Sequence, residues 1–339
     1  MDITVLGIDL AKKVFQLHGT NAEGRAVFKK KASRAELVRI IANLKPCLIA
    51  MEACGSSHFW AREFRRLGHE VRLIPPQYVK PFVKTNKSDA NDAEAIVEAA
   101  IRPNMRFSSI KELEHQDIQT LHRSRERMIK QKVALINQIR GIFQEYGVLT
   151  PDSRHKMISQ LSYLIESAGE KITPVTRELL IEHQEELVEI LARIKRMDSK
   201  LEQVLKNNSV CQFIESIPGV GVLTATAMYA AVVDANQFKN GRALAAWLGL
   251  VPRQYSTGGR NTLLGISKRG NPYLRKLLVH GARSMVAIPG RKTEWMKEVE
   301  KRRGRNKAVV AQANKNARMI WAVMMKKEPY HPTPLASVA

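Results

Sequence analysis

Apolar residues recur at two different periods along this 339-residue chain, and the change of period divides it. Over roughly the first hundred residues the apolar stretches are short. Residues 3–8, 14–18 and 26–29 read as three strands, and Asn21-Ala22-Glu23-Gly24 supplies a turn between the last two. Ser33 then caps a helix on which Leu37, Ile40, Ile41 and Leu44 recur at spacings of three and four. A buried strand over 47–51, a helix over 57–67, a strand over 71–74 and a helix starting near Ser88 complete this part. From Glu112 the period lengthens. Ile118, Leu121, Met128, Leu135, Ile139, Ile142 and Tyr146 alternate at three and four, with Arg125 and Lys132 in the two gaps. Leu180, Leu187, Ile190, Ile194, Met197, Leu201 and Val204 repeat the pattern, with His183 completing the seam. Alternation sustained over several heptads predicts a helical coiled-coil spacer, whose connecting stretch is bracketed by Pro151 and Pro174. The two helices fit an antiparallel hairpin or pairing with a second subunit, and ordinary bundle helices show the same pattern.

Three strands, then helix, strand, helix, strand, helix predict an α/β layer with a mixed sheet. The order matches that of ribonuclease H-like domains. On that plan Asp9 closes the first strand, Glu52 closes the fourth, and Asp89 and Asp92 open the last helix, so four carboxylates converge at one sheet edge. Residues three apart share a helix face, so Asp89 and Asp92 can point at one ion. Carboxylate oxygens suit Mg2+, and two such ions can clamp the attacking and leaving oxygens of a phosphoryl transfer. Each acid alone also has a structural reading: Asp89 as a helix-start residue beside a Ser88 cap, Glu52 as a solvated loop acid. An actin-like ATPase sheet also begins with a strand and an Asp, but it needs a glycine-rich phosphate turn next, and Leu10-Ala11-Lys12-Lys13 supplies none.

The last third is mainly helical. Ile217-Pro218-Gly219-Val220-Gly221 precedes an apolar helix over 223–233. A turn carrying Gly219 and Gly221 lets backbone N–H groups approach a phosphate, as in helix-hairpin-helix elements, and it equally fits a plain helix start. A helix over 242–250 ends at Gly249 and Pro252. A polar, glycine-rich loop over 253–260 follows, then Ser267-Lys268-Arg269-Gly270-Asn271 and a helix from Pro272. Ser256 lies in that loop between Arg253 and Arg260, cations able to hold a phosphodiester, although spacing alone makes it a turn residue with no evident base beside it. Arg253, Arg260, Lys268, Arg269 and Arg275 are the expected nucleic-acid contacts.

Charge narrows the partner. Lys plus Arg number 55 against 32 Asp plus Glu, a net +23, and residues 260–327 alone hold 18 basic and three acidic residues. That density implies many phosphate contacts and binding that weakens as salt rises. The stretch 291–339 fits a basic tail, either a solubilising arm or a nucleic-acid clamp. No apolar stretch is long enough to span a membrane and the first residues lack a leader's features, so a cytoplasmic chain without membrane contact is expected. Cys47, Cys54 and Cys211 are scattered, off zinc spacing, and read as buried thiols.

The motifs Gly7-Ile8-Asp9-Leu10-Ala11-Lys12, Met51-Glu52, Lys87-Ser88-Asp89-Ala90-Asn91-Asp92-Ala93, Ile217-Pro218-Gly219-Val220-Gly221, Gly249-Leu250-Val251-Pro252 with Ser256 and Gly258, and Ile266-Ser267-Lys268-Arg269-Gly270-Asn271 occur in this order. Together they resemble the DEDD transposases of bacterial insertion sequences, the Piv/MooV-type enzymes of the insertion-sequence one-ten family, with closest likeness to the eleven-eleven subgroup. The resemblance implies a RuvC-like DEDD domain over 1–106 whose Asp9, Glu52, Asp89 and Asp92 hold Mg2+. It also implies a helical spacer over 107–208 and a transposase domain over 209–290 in which Ser256 is the nucleophile. A serine-phosphate intermediate, a site composed from different domains or subunits, a homo-oligomer (a dimer, a tetramer in the active complex), donor and target DNA, and a bridge RNA all follow from the resemblance. Thr257, between Ser256 and the glycines, departs from the pattern. A junction resolvase or nuclease that uses metal and water is the rival enzyme, and a non-catalytic nucleic-acid scaffold is the rival of another class.

Overall fold

The structure, a computed structural model, describes residues 2–84 and 89–332. The chain divides into two compact units, Met1–His115 with Val232–Lys239, and Gln116–Ala231 with Asn240–Ala339.

The first unit is built on a five-stranded sheet: β1 (Val5–Asp9), β2 (Val14–Thr20), β3 (Ala26–Ser33), β4 (Leu48–Glu52) and β5 (Glu70–Ile74), in the order β3-β2-β1-β4-β5. β1, β2 and β3 are antiparallel neighbours, while β4 and β5 run parallel to β1. This is the expected meander followed by two crossovers. Helices α1 (Arg34–Ala42) and α2 (Ser57–Arg66) form those crossovers. Ser33 starts α1 through a capping box with Glu36, as its sequence position predicts. Successive side chains on a strand face opposite ways. Leu6 and Ile8 of β1, with Ile49 and Met51 of β4, therefore share one face and bury against Leu37, Ile41, Trp60 and Phe64 of α1 and α2. The opposite face is covered by α4 (Asp89–Ala100), reached after the short α3 (Pro76–Val79), and its core holds Val5, Ala50, Ile74, Ala95, Ile96 and Ala99.

In the second unit, α5 (Leu113–Glu145) and α8 (Pro174–Asn207), each about 50 Å long by helix rise, enclose the small helices α6 (Arg154–Ser159) and α7 (Leu161–Ser167). Of the two pairings open to the sequence, the chain adopts the internal one. Arg125 pairs with Asp198, Gln138 meets His183 at 3.1 Å, and Tyr146 meets Thr176 at 2.8 Å, so one helix retreats as the other advances. Arg125, an interruption in the apolar seam, is thus accommodated by a carboxylate from the facing helix.

Helices α9 (Ser209–Glu215), α10 (Val222–Val232) and α11 (Gly241–Trp247), the hairpin β6 (Pro252–Thr257) and β7 (Arg260–Ile266), and helices α12 (Pro272–Ala287), α13 (Glu294–Arg303) and α14 (Arg305–Lys326) follow. Two expectations are corrected here. The stretch read as a polar loop over 253–260 is a β-hairpin, because Gly258 and Gly259 take φ of +50° and +77° at its two-residue tip and so match the twist of paired strands. The stretch read as a basic tail folds. Ala308, Val309, Ala313, Ala317 and Ile320 form a buried stripe along α14, and the dense charge over 301–307 conceals that stripe in the sequence. No described helix is long and apolar enough to cross a membrane. Cys47 and Cys211 are buried as expected, whereas Cys54, on the loop after β4, is exposed.

Candidate functional site

Two neighbourhoods, one in each unit, carry the expected chemistry. In the first unit, Ile8 and Met51 are partners in the parallel register of β1 and β4, which sets Asp9 and Glu52 one residue further on, side by side at adjacent strand ends. Gly7 and Asp9 are two apart and face the same way, as do Ala50 and Glu52. That face belongs to α4. A Cβ on Gly7 would lie 2.5 Å from the Ala93 carbonyl oxygen and 2.6 Å from Val97 Cγ2, so only glycine lets the helix come this close. The approach brings Ala93, and hence its neighbour Asp92, to the strand end that carries Asp9. Asp9, Glu52 and Asp92 are each half-buried. The Asp89 backbone opens α4; its side chain, and the proposed Ser88 cap, lie outside the described residues.

Among the described residues no three His, Cys, Asp or Glu side chains are gathered closely enough to hold a metal ion. The donors that do share this edge are all carboxylates. They suit a hard dication, and their partial exposure leaves space for the waters that Mg2+ keeps. His18 adds a buried group that motif reading passed over. It pairs with Gly7 across β1 and β2, so it shares the α4 face, and burial, followed by the charge of Lys29, lowers its pKa. Its signal was present in the sequence: Gln16, His18 and Thr20 put a polar residue at every second position of β2.

The second neighbourhood is the hairpin, where every residue of β6 and all but the last of β7 are exposed. Ser256 pairs with Asn261, and its hydroxyl donates to Asn261 Oδ1 at 2.6 Å. Gln254 Nε2 donates to Ser256 Oγ at 2.8 Å and to Asn261 Oδ1 at 3.0 Å. Neither partner is a base. Arg260 pairs with Thr257, which puts it on the face opposite Ser256, and Arg253 falls where the register shifts between Pro252 and Gln254.

The remaining predicted contacts have mixed surroundings. Lys268 and Arg269 are exposed at the hairpin's base, which is tied down by Ser267 N–H to Val251 O at 2.8 Å and Lys268 N–H to Gly249 O at 3.2 Å. Arg275 Nη1 donates to Leu248 O at 3.1 Å and Arg269 O at 2.7 Å, so its guanidinium braces that base. Gly219, at φ +81°, packs against α12; a Cβ there would meet Met285 Sδ at 2.5 Å. Gly221 has open space around it and stands at the start of α10. Buried Asn316 of α14 donates to Pro218 O at 3.2 Å, supporting this turn from the C-terminal helix.

Comparison with known proteins covers both neighbourhoods. A model for DEDD-type transposases of the IS110 class, described as "Transposase", matches residues 6–148, and one described as "Transposase IS116/IS110/IS902 family" matches residues 211–299. The chain is 44% identical over 337 residues to a "Probable family 20 transposase" of Pseudomonas aeruginosa, covering 98% of this chain and all of that one. It is 45% identical to the "Transposase for insertion sequence element IS1111A" of Coxiella burnetii (97% and 92% covered) and 37% identical to that of IS1328 from Yersinia enterocolitica (95% and 97% covered).

Proposed function

This chain belongs to the IS116/IS110/IS902 transposase family, enzymes that cut and rejoin DNA, and on that premise we propose that it does so through a covalent serine-phosphate intermediate at Ser256. The carboxylates supply the other half of the site. The observation that carries this reading is the placing of Asp9 and Glu52 at adjacent strand ends on the face covered by α4, which also carries Asp89 and Asp92. The topology supports a ribonuclease H-like, RuvC-like assignment for the N-terminal domain.

In the proposed step Ser256 Oγ forms a bond to phosphorus, one P–O bond to the leaving strand breaks, the hydroxyl proton passes to solvent, and the freed strand end takes up a proton. Mg2+ held by Asp9, Glu52, Asp89 and Asp92 would supply charge neutralisation at the scissile phosphate. Asn261 and Gln254 fix the rotamer of Ser256. Gln254 donates to one of its two lone pairs and Asn261 accepts the hydrogen bond of its hydroxyl, leaving one lone pair for attack. Arg253, Lys268 and Arg269 hold backbone phosphates. The partners are donor and target DNA and a bridge RNA, and a homo-oligomer brings the serine and the acids of different copies together.

Ser256→Ala is expected to abolish covalent protein–DNA adducts, seen as a DNA-dependent shift on a denaturing gel, while binding of the same DNA stays within about twofold. Persisting adducts would move the nucleophile elsewhere, with Ser267 tested next. The neutral partners of Ser256 favour one rival, a nuclease in which metal-activated water attacks. Hydrolysed ends without any adduct from the unaltered protein would establish that rival.

A further inference from the structure

A cleft of about 840 Å³ in the second unit, not lined by Ser256, is formed by α5, the alanines of α10 and the start of α12. At its floor His122 and the half-buried Tyr273 belong to a hydrogen-bonded triad whose third member, Thr226, is buried behind them. Thr226 donates its only hydroxyl hydrogen to Val222 O at 2.7 Å, so at 2.9 Å it can only accept from His122 Nε2–H. His122 Nδ1 is then the bare nitrogen, and Tyr273 O–H donates to it at 2.9 Å. Every polar atom of the floor is satisfied in an uncharged state. Burial, then Arg125, lowers the His122 pKa to about 4, and burial raises that of Tyr273 to about 12, in keeping with that state.

The walls are charged. Arg123, Arg127 and Lys130 line the cleft from successive turns of one face of α5, and among the described residues none of them pairs with a carboxylate. The acid in the wall, Glu126, is held by Lys276 at 2.6 Å, and that pair cancels. Seven residues of helix advance about 10 Å, the axial length over which one strand of a duplex presents about three phosphates. Ala227, Ala230 and Ala231 of α10 complete the lining with small side chains.

We propose that this cleft is a nucleic-acid backbone site, in which Arg123, Arg127 and Lys130 take consecutive phosphodiesters of one strand over a rigid, neutral floor. It rests on the reading of the chain as a nucleic-acid enzyme but not on Ser256 as nucleophile. Neutrality of the floor matters, because an imidazolium there would repel Arg125, and the network holds the ring in its unprotonated form without help from a ligand. The strand is either duplex DNA or a structured RNA, which share this chemistry.

The test uses the full chain in EDTA, so that cleavage plays no part. Binding of a labelled DNA duplex and of a labelled RNA hairpin is titrated from 50 to 300 mM salt, for the unaltered protein and for Arg123→Ala/Arg127→Ala/Lys130→Ala. The three side chains are outside the core, and circular dichroism melting checks that the variant folds. The variant is expected to lower affinity and to make the slope of log K against log salt shallower by about two to three for at least one ligand, since each phosphate contact contributes about 0.7 to 0.9. The ligand that changes identifies the source. Wild-type slopes for both ligands in the triple variant would overturn the proposal. So would an equal loss from Lys156→Ala/Lys171→Ala/Lys195→Ala, a control set on α6, the 3-10 turn before α8, and α8 itself. Because adduct formation by Ser256 is scored separately, either proposal can fail while the other stands.

Discussion

The edge of the sheet that carries Asp9 and Glu52 and the hairpin that carries Ser256 are built in opposite ways. Helices cover both faces of the sheet: Leu6, Ile8, Ile49 and Met51 are sealed on one side, Val5 and Ala50 on the other. The hairpin is exposed on both faces, and it shows Tyr255, Leu263 and Leu264 to solvent. Two-stranded ribbons are only marginally stable by themselves in water. The backbone of the carboxylates is therefore fixed by the core, whereas the serine stands on a ribbon with no buried face of its own. A metal site gains from rigidity because its ligands must hold a set geometry. In the proposed reaction, a nucleophile on such a ribbon gains from being able to enter a groove, since a two-stranded ribbon fits a major groove.

Substitutions that act on one region and spare the other sharpen this contrast. Leu6→Ala empties a fully buried position and is expected to cost about 4 kcal/mol by urea denaturation, with α4 and the acids losing their support. A loss under about 1 kcal/mol would mean that the sheet is not the rigid partner. A buried polar network supplies a second, slightly smaller test. The pKa of His122 is lowered in the folded state, to about 4 against the usual 6.5, so the unfolded chain binds more protons between those values. Stability from this group is complete above about pH 6.5 and is lost as pH falls towards 4, by about 3 kcal/mol in all. His122→Asn should flatten the urea midpoint over that window, and an unchanged pH profile would assign the slope to other groups.

Gly7→Ala comes next. A Cβ against Ala93 and Val97 forces strand and helix apart, for an expected cost of about 2 kcal/mol and a larger fractional loss of activity than of stability. Activity retained in proportion to the folded fraction would show that the approach of α4 to Asp9 does not matter. At the small end, Leu263→Ser on the hairpin should change stability by less than about 0.5 kcal/mol. A larger loss would mean that the ribbon packs on its own unit and is not waiting for a partner.

Legibility followed burial. Strands β1, β4 and β5 and helices α1 and α2 were readable because both of their surroundings are apolar or cleanly divided, and short β-branched runs mark such strands. The hairpin was not, because with neither face buried Arg253 to Thr257 show no alternation of apolar and polar residues. Only the glycine pair hinted at its tip. The C-terminal helices were hidden for another reason: α14 buries alanines, and a stripe of small residues among lysines and arginines gives a weak apolar signal. Among the candidate site residues, Asp9 and Glu52 were legible as strand ends. The bracing of Arg275 and the opposite facing of Arg260 depend on carbonyls and a register that no local pattern specifies.

Local order in the first two thirds was thus determined by the sequence itself: that Asp9 and Glu52 close strands, that Ser33 opens a helix, that two long amphipathic helices exist, and that the chain carries a large positive charge. Partnership was decided by tertiary structure. Periodicity states that a face is to be buried but not against what, because the free energy of burial is nearly indifferent to the identity of the covering surface. Only the folded chain brings Ala93 to Gly7, Asp198 to Arg125, and Tyr273 to a histidine 151 residues away.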